Sequence, residues 1–153
     1  MIETGQPAPD FTLPQDGGAD IALSSLRGGP VVLYFYPRDD TSGCTLEALD
    51  FTAQSAEFAA AGARVLGVSK DSVASHGKFR AKHGLGIALL SDAEGDVCER
   101  YGVWVEKNMY GKKSMGIERA TFLIDSEGKV ARIWRKVKVD GHVAEVLEAV
   151  RAL

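Results

Sequence analysis

The chain has 153 residues, 45% of them hydrophobic and 25% charged, and a formal net charge of −3. That suits a single domain over residues 1–153 with a sizeable core, and it gives no global pull toward nucleic acid or an anionic membrane. No run is long enough to span a bilayer, Met1–Gly5 lacks the basic and apolar regions of a signal peptide, and two cysteines are no disulfide framework, so a reducing, cytoplasmic setting is expected.

Phe11-Thr12-Leu13 and Ile21-Ala22-Leu23 flank Pro14-Gln15-Asp16-Gly17-Gly18, which predicts an N-terminal β-hairpin. Val31-Val32-Leu33-Tyr34-Phe35-Tyr36 is a β-branched and aromatic run, the signature of a buried strand, and Pro37 stops it because proline offers no N–H to a ladder. Asp39-Asp40-Thr41-Ser42-Gly43 reads as a turn. A helix then opens at about Cys44, with Thr41 or Ser42 as N-cap, and runs to about Ala61 with Ala48, Phe51, Ser55 and Phe58 on one face. Arg64–Ser69 is a second buried strand. Asp71 or Ser72 caps a helix that ends at His83-Gly84, and Ile87–Ser91 is a short strand. A short helix carries Val97, Cys98 and Tyr101, and Val105–Gly116 reads as a solvated loop with Lys107, Lys112 and Lys113. Arg119–Ile124 and Val130–Trp134 form an antiparallel pair around Asp125-Ser126-Glu127-Gly128-Lys129. Asp140 caps a last helix with an apolar stripe of Val143, Val146, Leu147 and Val150. This order predicts an α/β sandwich with a mixed central sheet.

The pattern puts Cys44 at a helix N-terminus, just past the end of a central strand. A free thiol has a pKa of about 8.5, so only about 3% is thiolate at neutral pH. Unpaired first-turn N–H groups and the helix dipole favour the anion by about 0.3–1 kcal/mol. Lowering the pKa to about 6 needs roughly 3.4 kcal/mol, so a cationic group must come from elsewhere in the chain. Asp39, Asp40 and Glu47 oppose the shift if their carboxylates lie close. A thioredoxin-type dithiol is excluded, because Thr41 stands where Cys-x-x-Cys would place its partner. His76, His83 and His142 show no metal-ligand spacing and read as surface or helix-face residues, so no metal site is expected.

Pro37-x-x-x-Thr41-x-x-Cys44 resembles the active-site signature of the peroxiredoxins, thiol peroxidases with a thioredoxin-like fold. Gly5-Gln6-Pro7-Ala8-Pro9-Asp10-Phe11, Tyr101-Gly102-Val103, Met109-Tyr110-Gly111-Lys112 and Gly116–Asp125 extend the likeness over essentially the whole chain, to the bacterioferritin comigratory protein, or peroxiredoxin Q, subfamily. The resemblance implies a thioredoxin-dependent peroxidase acting on hydrogen peroxide and small alkyl hydroperoxides, without a bound cofactor. Cys44 is its peroxidatic nucleophile, and the Thr41 hydroxyl accepts from the thiol or first-turn N–H groups and donates to the peroxide. Pro37 shields the sulfur, and Arg119 supplies the missing positive charge.

The sequence departs from the subfamily at the resolving cysteine. Its two usual places hold Leu49 and Arg80, and the remaining cysteine, Cys98, reads as a buried core residue. The expectation is therefore a one-cysteine cycle, resolved by thioredoxin or by glutathione with glutaredoxin. With no long C-terminal arm carrying a second cysteine, a monomer is expected. The alternatives are a peroxide sensor that relays its oxidation to a partner protein, and a thioredoxin-like binding module whose cysteine is incidental.

Overall fold

The computed structural model describes residues 2–153. Met1, part of the stretch read for a leader, lies outside them. Strands β1 (Thr12–Gln15) and β2 (Gly18–Ala22) form the expected hairpin, with Leu13 opposite Ile21. A 3-10 turn at Leu23–Leu26 leads toward β3 (Val31–Phe35). Helix α1 (Ser42–Ala53), helix α2 (Ser55–Ala60) and strand β4 (Arg64–Ser69) follow. Then come α3 (Val73–His83), β5 (Ala88–Ser91) and the single turn α4 (Val97–Arg100). The chain closes with β6 (Trp104–Met109), β7 (Lys112–Ile117), β8 (Ala120–Ile124), β9 (Val130–Trp134) and α5 (His142–Arg151).

Seven strands form one mixed sheet in the order β2-β1-β5-β4-β3-β8-β9. β3 is parallel to β4 on one side and antiparallel to β8 on the other. It is buried on both faces, and its period of two divides the core. Val31, Leu33 and Phe35 enter one cluster with Val97, Cys98 and Tyr101. Val32, Tyr34 and Tyr36 enter the other, with Cys44, Ala48 and Phe51 of α1, Phe58 of α2, Phe79 of α3 and the Val143–Val150 stripe of α5. Every residue of β3 is buried, which matches its uninterrupted apolar text. Among the described residues no helix is long and apolar enough to cross a membrane.

Four local expectations change. The first helix begins at Ser42 rather than Cys44, and it is interrupted at Gln54, whose N–H is shared between the carbonyls of Asp50 and Phe51 at 3.3 and 3.2 Å. Residues 105–116 are not a loop: they make a second hairpin, Trp104 opposite Ile117 and Met109 opposite Lys112. Its two-residue turn has positive φ at both Tyr110 (53°) and Gly111 (81°), the hand that suits twisted strands. Gly141, at φ 72°, rather than Asp140 occupies the N-cap of α5, without a side-chain cap. His76 and His142 are buried, not surface residues. In contrast, Ser72 caps α3 through Ser75 N–H at 3.1 Å, and Gly84 ends it in the left-handed conformation, as expected.

Candidate active site

β4 ends and β8 begins beside the last residue of β3, and the site lies there. β3 stops at Phe35, opposite Ala120. The next step along that antiparallel register brings Arg119 beside the segment that turns into α1. Thr41 is the N-cap residue of α1, extended at φ −93°, ψ 157°, and its carbonyl accepts from Thr45 N–H at 2.8 Å. The Ser42, Gly43 and Cys44 amides precede that first helical bond, so their dipoles are uncompensated at the end where the sulfur stands.

Cys44 is buried. The Arg119 guanidinium spans the site: Nη2 donates to Cys44 Sγ at 3.4 Å and Nη1 donates to Glu47 Oε1 at 2.7 Å. The cation demanded by the thiol is thus beside it, and among the described residues the ion-pair partner of Arg119 is Glu47. Burial works against the charge of Arg119, but attraction to Glu47 and Cys44 outweighs it and holds its pKa above the ordinary value. Gly43 makes room for this approach. A Cβ there would lie 3.1 Å from Arg119 Nη2.

Of the three carboxylates that oppose the anion if they lie close, Glu47 is the one that reaches the site, where Arg119 stands between it and Cys44. The Glu47 carboxyl is fully buried, and burial, partly offset by the Arg119 charge and hydrogen bond, raises its pKa to about 7. Its second oxygen, Oε2, has no hydrogen-bond partner among the described residues. The signal was in the text: Cys44, Glu47, Ala48 and Phe51 share one helical face, and a carboxylate inside an apolar stripe needs a partner.

The Thr41 hydroxyl donates to Arg38 carbonyl oxygen at 2.9 Å, so it braces the turn rather than capping first-turn N–H groups. Pro37 is half-buried at the head of that turn. Asp39 and Asp40 point away from the thiol toward α3: Asp39 bonds Ser75 and His76, and Asp40 bonds Lys82 and His83. Arg80 pairs with Asp16 at 2.6 Å, tying α3 to the β1–β2 turn. Cys98 lies in the core cluster on the other face of the sheet from Cys44. Burial and the neighbouring Asp92 push its thiol pKa far up. Both cysteines are free.

The AhpC/TSA family profile matches residues 4–133. The chain belongs to the AhpC/TSA family. Within it the likeness runs to the Bcp, or peroxiredoxin Q, branch. A protein of Coxiella burnetii described as a putative peroxiredoxin bcp is 57% identical, over 95% of this chain and 97% of that one. The peroxiredoxin Bcp of Bacillus subtilis is 51% identical, over 98% and 96%. The bacterioferritin comigratory protein of Xanthomonas campestris, whose structures concern its alkyl peroxide reduction, superposes with a TM-score of 0.91 at 47% identity, covering 98% of each chain. The fold is accordingly the thioredoxin-like peroxiredoxin fold, and the chain is a thiol-dependent peroxidase.

Proposed function

We propose that this peroxiredoxin is a single domain that reduces hydrogen peroxide and small alkyl hydroperoxides through a sulfenic acid on Cys44, in a one-cysteine cycle. The observation that carries the reading is the Arg119 guanidinium, bonded at once to Cys44 Sγ and to buried Glu47. The thiolate attacks one peroxide oxygen, the S–O bond forms as the O–O bond breaks, and the departing oxygen leaves as water or alcohol once protonated. Arg119 stabilises both the thiolate and the charge growing on that oxygen, in a site where water is scarce. Pro37 screens the sulfur. The Thr41 hydroxyl, one rotation away from the Arg38 carbonyl, serves as donor to the bound peroxide. The alkyl peroxide activity of the Xanthomonas relative supports the wider substrate range.

An external thiol then attacks the sulfenic sulfur, releases water and leaves a mixed disulfide, which a second thiol reduces. Thioredoxin and glutathione with glutaredoxin are the candidate donors, in a cytoplasmic monomer. The placement of Cys98 across the sheet from Cys44 supports this, since a disulfide needs Cα atoms within about 7 Å. The test is the intact mass after one equivalent of hydrogen peroxide with dimedone present. A single adduct on Cys44 is expected. Loss of two hydrogens without an adduct makes Cys98 the resolving residue and overturns the one-cysteine cycle. An unchanged mass overturns the peroxidatic role of Cys44.

A further inference from the structure

His76 lies outside the Cys44–Arg119–Glu47 cluster and is completely buried. Both of its ring nitrogens meet groups that accept. Nε2 is 2.9 Å from the Leu90 carbonyl, which has no proton to give. Nδ1 is 2.7 Å from Asp39 Oδ2. Asp39 already accepts from Tyr36 hydroxyl at Oδ1, 2.7 Å, and from Ser75 hydroxyl at Oδ2, 2.8 Å. Opposite an Asp39 carboxylate, a neutral imidazole with its single N–H would leave one of these contacts facing lone pair to lone pair, because the Tyr36 hydroxyl, 3.4 Å from Nδ1, gives its proton to Asp39 Oδ1. The geometry is satisfied by the doubly protonated ring.

Asp39 is the middle of the turn that carries Pro37 and Thr41. Its own N–H donates to Asp71 Oδ2 at 2.8 Å, and Asp71 also accepts from Ser69 hydroxyl at 2.6 Å. The turn is therefore held from α3 and from the end of β4, with His76 its fully buried contact on α3. We propose that His76, held as an imidazolium, is a positioning residue for the Cys44 reaction: it acts through Asp39 to fix the turn that presents Pro37 and Thr41. The proposal rests on the peroxidase reading of Cys44.

The charges around His76 suit this state. Tyr36 faces it from the end of β3, Asp39 from the turn, and Asp71 from the β4–α3 connection; Asp16 lies further off and is engaged by Arg80. Burial opposes the cation, but the Asp39 hydrogen bond and charge, the Leu90 carbonyl and Asp71 outweigh it, and the His76 pKa lies above its ordinary value.

Two measurements test the proposal. In the unmodified chain, nitrogen NMR of labelled histidines just above the ordinary imidazole value, where free imidazole is mostly neutral, should find both His76 nitrogens protonated. A neutral single tautomer overturns the proposal, whether or not any variant folds. In His76→Asn, which keeps one donor for Asp39 without the charge, peroxide-driven sulfenic acid formation should slow by about tenfold to 100-fold. The alkaline limb of the pH–rate profile that coincides with the NMR titration of His76 should vanish in this variant. An unchanged rate and profile in a folded variant overturns the positioning role. Failure of the peroxidase reading looks different: the unmodified chain then forms no sulfenic acid on Cys44, and the positioning role falls with it while the NMR result stands.

Discussion

At Cys44 two separate pieces of chain, α1 and the residue just before β8, bring their charges together. The helix end offers its uncompensated amides to the sulfur, and Arg119, just before the neighbouring strand β8, places a guanidinium against it. The cysteine, its helix and the need for a distant cation follow from residue types and spacing alone. Glu47 could be found only as an oddity in an apolar stripe, because its partner is 72 residues away in sequence. Gly43 tests how tightly Arg119 is placed. In Gly43→Ala the new methyl must displace Nη2 by a few tenths of an ångström against the pull of Glu47. The expected result is a loss of about tenfold in the rate of sulfenic acid formation with little change in thermal stability, read by competition kinetics and a melting curve.

Among the elements, β3 and the last helix are the ones the text describes best. The first has a continuous apolar run, and the second a stripe at Val143, Val146, Leu147 and Val150 that is wholly buried. The β6–β7 hairpin is the element that was missed. Its strands are largely exposed and lysine-rich, so they show no alternation, and its turn places Tyr110 where Asn or Asp would have marked it. Tyr110 is 99% exposed and takes a positive φ that costs a bulky side chain energy without returning any packing. Tyr110→Asn is therefore expected to stabilise this hairpin by about 0.5–1 kcal/mol, seen as slower hydrogen exchange at the Lys107 and Met109 amides.

Over the whole molecule, two buried titrations oppose one another. Burial raises the Glu47 pKa to about 7, so the folded state takes up a proton there, and the stability this supplies is full below the ordinary carboxylate value and lost as pH rises toward 7. Burial beside Trp134 and Thr121 lowers the His142 pKa to about 4, so folding releases a proton, and that stability is present above the ordinary imidazole value and lost as pH falls toward 4. Each is worth up to about 3 kcal/mol across its window. Between about pH 4.5 and 6.5 the two slopes cancel, and the unmodified chain should show nearly flat stability there. Glu47→Gln should expose a stability that rises with pH over this range, and His142→Asn one that falls, both measured by urea titration. Parallel curves for the two variants would contradict the assignment.

The sequence by itself determined the strands with continuous apolar text, the helix that starts behind Pro37 and Thr41, the place of Cys44 in its first turn and the absence of an adjacent second thiol. Those features are local, because period, turn chemistry and capping act within a few residues. Only the tertiary structure decided which charges meet. β3 and β8 bring Arg119 to Cys44 through a strand register, α1 turns Glu47 inward beneath it, and α3 delivers His76 to Asp39 across the top of the sheet. Coulombic and hydrogen-bonded partners are set by distances of a few ångströms between segments far apart in the chain, and local pattern carries no record of them.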